Sequence, residues 1–311
     1  MGASLLALDW GSTNLRAGLL DQSGRTLAER QQAAGILQVP QRNFEQVLFA
    51  LCGDWLQDPS VAIIASGMIG SRQGWVEAPY LATPITPTAA AQALTRIPLR
   101  GDRAVYLIPG IRSTVHDSTE HIDDVMRGEE TQVWGADIEP GSIVVLPGTH
   151  SKWVHCGADG AIDRFQTWMT GELFAVLGQH SILGRLIEPG DPSEGAFTLG
   201  VQRTLAAPEA LSTLLFSVRT AGLMSRIAPT ALSDYLSGLL IGAEVASALR
   251  RFNVPREAAQ LSLIGEPSLC DRYARALAIA GVQAQTLPSG LAARGAWRLA
   301  CAAGLIRAAE V

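Results

Sequence analysis

The chain has 311 residues, 48% of them hydrophobic and 17% charged, which is enough apolar surface for one large core or two medium ones and leaves no low-complexity tract. A net charge of −5 and a pI near 5.6, with Lys and Arg scattered rather than in runs, exclude a basic field for nucleic acid. Cys52, Cys156, Cys270 and Cys301 are too far apart for a metal pair or a disulfide framework. No basic leader or apolar run of membrane-spanning length stands out, so a cytoplasmic protein with buried thiols and no membrane partner is expected.

Hydrophobic periodicity predicts strands over 4–9, 14–20 and 25–33, a helix over 42–56, and a strand over 61–65 followed by a loop through Tyr80. Val61-Ala62-Ile63-Ile64-Ala65 is continuously apolar, as a strand covered on both faces would be. Thr86-Pro87 opens a predicted helix over 86–96, and a strand over 103–108 ends at Pro109-Gly110. Ser118 to Gly135 reads as a charge-rich link. Beyond it come strands over 142–147, 152–156 and 161–166, then a helix from near Gly171. Residues 172–250 are largely helical by spacing, with an interruption around Pro189 to Gly200. A strand over 260–264 and a final helix from Arg294 to Ala309 close the chain.

One supersecondary unit occurs twice. Leu5–Asp9 runs into Trp10-Gly11-Ser12-Thr13-Asn14, returns as a second strand and closes at Gly24; Ile143–Leu146 runs into Pro147-Gly148-Thr149-His150-Ser151-Lys152 and closes at Gly160. Small turn residues let backbone N–H groups converge on an anion, and hydroxyls add donors. Two such loops suit a polyphosphate. Asp9 ends the first strand, while Leu146 stands at the matching place in the second, so an acid is present on one side only.

The Asp9-x-Gly11-Ser12-Thr13 turn with its distant partner resembles the sugar kinase, heat-shock-protein-70 and actin superfamily. Asp9–Arg16, Ser66–Trp75, Met126–Gln132, Pro147–Trp153 and Met169–Phe174 together resemble the 2-dehydro-3-deoxygalactonokinase family, from residue 5 to about residue 305. That resemblance implies an α/β fold of two related ribonuclease-H-like (actin-like ATPase) domains with a cleft between them, here 1–127 and 128–311, with the helix over 294–309 returning to the first. It implies ATP as co-substrate, Mg²⁺ as cofactor, and transfer of a phosphoryl group to the 6-hydroxyl of 2-dehydro-3-deoxy-D-galactonate. Another sugar-acid kinase, or a nucleotide-gated sugar sensor, is the alternative, and homodimerisation stays open.

Residue by residue, the resemblance gives Asp9 to the metal. The phosphates fall to Gly11, Ser12 and Thr13 and to Gly148, Thr149, His150, Ser151 and Lys152, with Gly171 at a helix start. Gly238, Gly242 and the helix around Glu244 on one side, and Gly265 and Glu266 on the other, are expected at the adenosine end. The base precedes the second phosphate loop in related kinases, at a helix start after a short glycine segment; Glu130 is the first candidate, Glu129 the second and Asp124 the third. Adjacent helical residues diverge by about 100°, so one of the two Glu faces the substrate. The sugar-acid loop is Gly67 to Tyr80, with Arg72 as a bidentate partner for the carboxylate, Met68 beside it, and Trp75 and Tyr80 as walls; Asn14, Arg16 and Arg112 are further candidates.

Overall fold

The computed structural model describes residues 2–116, 121–254 and 260–308. Ser118–Glu120 of the predicted link and Ala309 of the predicted final helix lie outside the described residues. Contacts divide the chain into two units, Met1–Gly141 with Cys156–Phe165 and Pro288–Val311, and Ser142–His155 with Gln166–Leu287. Gly128 to Gly141 and the C-terminal helix therefore count with the first unit.

The first unit opens with β1 (Ala3–Trp10), β2 (Leu15–Asp21), β3 (Thr26–Gln32), α1 (Phe44–Cys52) and β4 (Ala62–Ser66). It continues with β5 (Tyr80–Ala82), α2 (Pro87–Ala91), β6 (Thr95–Pro98), β7 (Ala104–Leu107), β8 (Gly110–His116), β9 (His121–Met126) and α3 (Glu129–Gly135). Six strands form a sheet in the order β3-β2-β1-β4-β7-β6, and β5-β8-β9 form a second. The central pair, β1 and β4, is parallel and buried, as the unbroken apolar run at Val61–Ala65 predicts. Leu6, Trp10, Phe44, Leu48, Ile63 and Leu107 anchor the core. The helix predicted over 86–96 stops at Ala91, and Thr95–Pro98 is instead an edge strand antiparallel to β7, where a proline is tolerated. From His121 on, the predicted link is β9, antiparallel to β8, followed by α3.

The second unit repeats the first. It holds β10 (Ile143–Leu146), β11 (Ser151–Cys156, as far as His155), the end of β12 (Ile162–Trp168, of which Ile162–Phe165 counts with the first unit), α4 (Thr170–His180), α5 (Glu194–Ala206), α6 (Leu211–Leu223), α7 (Leu232–Arg251), β13 (Gln260–Leu263), α8 (Pro267–Ile279) and β14 (Gln283–Thr286). Its sheet order, β12-β11-β10-β13-β14, matches β3-β2-β1-β4-β7, with an antiparallel hairpin beside a parallel pair in each. Gly24 and Gly160 both sit at positive φ where the two hairpins turn. One stretch among the described residues, Pro229–Arg251, is long and apolar enough to cross a membrane, but 83% of that window is buried within the protein. α7 packs against α5 and α6 as a core helix.

The last helix, α9 (Leu291–Ala302), packs on α3 and β1 in the first unit. Gly135 and Gly295 allow the crossing with α3: a Cβ at either would collide with the backbone of the other helix. Arg298 donates to the Trp134 carbonyl at 2.8 Å, and Arg294 pairs with Asp137 at 2.5 Å. The chain's C-terminal helix thus fixes the short helix that carries Glu129 and Glu130.

Candidate active site

In the first unit, β1 delivers Asp9 beside Ser66, the last residue of β4. Gly67 follows at φ 91, a conformation that costs an L side chain dearly, and a Cβ there would lie 2.9 Å from the Trp10 carbonyl oxygen and 3.4 Å from the Asp9 carboxylate. Gly128, at φ 113, comes as close from the other side: its Cβ position lies 3.1 Å from the Gly67 Cα. Two glycines therefore bring the Asp9 strand end and the start of α3 together. Burial holds the Asp9 carboxyl above its ordinary range; Arg16, 3.4 Å away, opposes that shift, and the Glu129 charge adds to it.

The two glutamates occupy different environments. Glu130 is fully buried, both carboxylate oxygens accept the Gly128 N–H at 2.8 and 2.7 Å, and burial with the Glu129 charge pushes its carboxyl up to about 8. Glu129 is half-buried, accepts the Arg127 N–H at 3.2 Å, and lies within electrostatic range of Asp9. Asp124 sits opposite Ser113 on the β8–β9 hairpin and accepts the Val125 N–H at 2.8 Å.

The loop after β4 is tightly built. Ser71 Oγ donates to the Met68 carbonyl at 2.7 Å, Trp75 N–H to Ile69 at 2.8 Å, Ala78 N–H to Gly70 at 2.9 Å, and Arg42 to the Gln73 carbonyl at 2.8 Å. Arg72 stands at its tip with a side chain 89% exposed, 3.8 Å from Glu77. Trp75, expected as a pocket wall, is half-buried: it stacks on Phe44 at 5.9 Å and packs against the core. Tyr80 is 40% exposed. Arg112 is exposed on β8.

Sequence reasoning missed Arg127. Its buried guanidinium lies 4.3 Å from the centre of the Tyr80 ring, donates to the Ala78 carbonyl at 2.8 Å, and leaves one terminal nitrogen without a hydrogen-bond partner. An arginine at the end of a strand, directly before Gly128-Glu129-Glu130, was the available signal. It fastens the loop after β4 to the turn that carries Glu129 and Glu130.

In the second unit, Gly148 has open space where a Cβ would stand, and Thr149 and His150 are exposed. The Gly171 Cβ position lies 2.8 Å from the Thr149 Cα, and Glu172 N–H donates to the Thr149 carbonyl at 3.0 Å, so the start of α4 supports the loop directly. His150 Nε2 lies 2.5 Å from the Glu172 carboxylate. Ser151 and Lys152 are buried, not solvent-facing: Ser151 Oγ donates to Glu244 Oε1 at 2.6 Å, and Lys152 Nζ donates to the His150 carbonyl at 3.3 Å. With its one proton given to Glu244, Ser151 has none for a phosphate. Met169 stands at the cap of α4, and the hydroxyl of Thr170, its first residue, also bonds Glu244.

Gly265 abuts the same loop, its Cβ position 3.3 Å from the Pro147 carbonyl oxygen, and Glu266 caps α8 by accepting the Leu269 N–H at 3.0 Å. Gly238, expected near adenosine, lies where α7 crosses α5, with the Val201 nitrogen 3.1 Å from its Cβ position. Helix packing explains that glycine.

Among the described residues no group of three or more His, Cys, Asp or Glu is preassembled to hold a metal. Asp9 and Glu129 are two carboxylates within electrostatic range of each other, and a divalent cation between Asp9 and the phosphates would offset the burial and the Glu129 charge that hold Asp9 above its usual range.

The sequence profile described as 2-keto-3-deoxy-galactonokinase matches residues 9–299. The 2-dehydro-3-deoxygalactonokinase of Escherichia coli (strain K12) is 40% identical over 282 residues, spanning 90% of this chain and 91% of that protein. A crystal structure from Sinorhizobium meliloti, assigned provisionally to 2-dehydro-3-deoxygalactonokinase, superposes with a TM-score of 0.86 at 35% identity over 96% of this chain and 98% of its own. A ligand-bound xylulose kinase from Lactobacillus acidophilus shares the fold alone, with a TM-score of 0.52 at 11% identity over 98% of this chain and 90% of its own. Matched almost end to end by both profile and relatives, the chain belongs to the 2-keto-3-deoxy-galactonokinase family.

Proposed function

We propose that the protein transfers the γ-phosphoryl group of ATP to the 6-hydroxyl of 2-dehydro-3-deoxy-D-galactonate, as a cytoplasmic enzyme. The observation that supports this reading is the close approach of Gly67 and Gly128, with Asp9 and Glu129 within electrostatic range of each other, which suits a metal-binding acid and a base working at one site. Glu129 is the base in this reading, in preference to Glu130. A group that takes a hydroxyl proton must be reachable and ionised, and Glu130 is fully buried with its carboxyl pushed up to about 8. Glu130 instead braces the Gly128 turn.

Mg²⁺ held by Asp9 would neutralise charge on the transferring group. Gly11, Ser12 and Thr13 serve as one anion cradle; Gly148, Thr149 and His150, backed by Gly171, serve as the other, and Gly265 with Glu266 lies toward adenosine. Arg72 is the proposed partner of the substrate carboxylate. The carboxylate lies at the opposite end of the substrate from the 6-hydroxyl, so an arginine on the loop tip suits it better than Arg16, which adjoins Asp9.

A coupled ADP-release assay over a panel of sugar acids tests the reading. ADP release should stay near background without sugar acid and rise sharply with the galacto epimer. Equal or faster turnover of the gluco epimer overturns the substrate assignment, and turnover independent of any sugar acid overturns the kinase reading.

A further inference from the structure

Glu244 lies in the middle of α7, fully buried, where an ionised carboxylate is costly unless donors surround it. Four surround it. Ser151 Oγ and Trp153 Nε1 donate to Oε1 at 2.6 and 2.8 Å, Tyr273 OH donates to Oε2 at 2.6 Å, and the Thr170 hydroxyl bonds the same carboxylate. These donors come from β11 directly after the second loop, from the first residue of α4 beneath Gly171, and from α8, whose start follows Gly265. Three segments of the second unit around the Pro147–Lys152 loop, β11, α4 and α8, thus converge on one carboxylate.

We propose that Glu244 is a positioning residue for nucleotide binding, a buried acceptor that fixes the second loop so that Gly148, Thr149 and His150, rather than Ser151, face the phosphates. The inference rests on the reading of that loop as a phosphate cradle. Burial raises the Glu244 carboxyl and the four donors oppose that shift; as a carboxylate it only accepts, so it sets the direction of all four donors at once. Glutamine of the same shape cannot: its amide nitrogen donates, and the Trp153 indole N–H cannot turn round to accept. A misplaced loop should then weaken nucleotide binding and leave sugar-acid binding alone.

The test is steady-state kinetics of Glu244→Gln in the full chain, with the Michaelis constants for ATP and sugar acid measured separately. The Michaelis constant for ATP should rise at least about tenfold, the change expected when a charge-assisted buried bond is lost, while that for the sugar acid moves less than about twofold. Thr204→Val, which removes another buried hydroxyl of the same unit bonded only to the Gly200 and Val201 carbonyls, is the control: it should lower the melting temperature without separating the two constants. If Glu244→Gln does not fold, Ser151→Ala carries the test, and an unchanged ATP constant there overturns the proposal. Thr149→Val and Gly171→Ala separate the two levels of the argument. If both leave the ATP constant untouched, the loop is not the phosphate cradle. If they raise it and Glu244→Gln does not, the cradle stands and the role of Glu244 falls.

Discussion

At the residue scale, the assignment of the base turns on burial. Sequence order ranks Glu130 ahead of Glu129 because the following Thr131 matches the family register, but order along a chain does not report which of two diverging side chains reaches solvent. Glu129→Gln should keep binding of both substrates and cut single-turnover rates by roughly 10² to 10⁴, the range for a positioned base; a larger loss in Glu130→Gln reverses the assignment. Glu130 has its own signature. Its folded pKa of about 8 lies above the ordinary 4.5, so the folded state holds an extra proton between those values. Stability is therefore full below about pH 4.5 and is lost as pH rises toward about 8. Thermal melts of Glu130→Gln should fall less steeply than wild type across that window, and parallel slopes would show that Glu130 is not held protonated.

At the element scale, the duplicated strands β1, β2, β10 and β11 were legible because their apolar runs and glycine turns are local signals. β9, α8 and β14 were not. β9 carries His121, Asp123 and Asp124, whose charges mask a hairpin held by its pairing with β8, and β14 is four residues of Gln, Ala and Thr made a strand by its neighbour β13. Tertiary pairing overrides propensity in both. The same limit explains Gly238, since a glycine needed for ligand approach and one needed for helix crossing read alike in sequence. Gly238→Ala forces a methyl group against the α5 backbone and should destabilise by about 1–3 kcal/mol, seen as a lower denaturation midpoint, with the ATP Michaelis constant unchanged. A selective rise in that constant at unchanged stability would return Gly238 to the nucleotide site.

At the scale of the whole molecule, two copies of one strand order, each with its own core, differ in the side chains they carry. The first unit acquired Asp9, the loop after β4 and the carboxylates of α3; the second has Leu146 at the place of Asp9 and a buried carboxylate hub beneath its loop. That asymmetry was legible in part, through Leu146, while the hub was not, because a lone Glu in an apolar helix declares neither its donors nor their segments. Ligand-specific protection from hydrogen–deuterium exchange follows from the division. Ordering a loop lowers its local opening, so each ligand should slow exchange where it binds. A non-hydrolysable ATP analogue should protect Gly148–His150, and with it Gly171–Leu173, because the Glu172 N–H already bonds the Thr149 carbonyl and opens less often once the loop is ordered. The sugar acid should protect the loop over 67–80 and spare those segments. Protection of 67–80 by nucleotide alone, or of Gly148–His150 by sugar acid alone, would exchange the roles of the two units, because each loop's amides report only on the ligand that orders them.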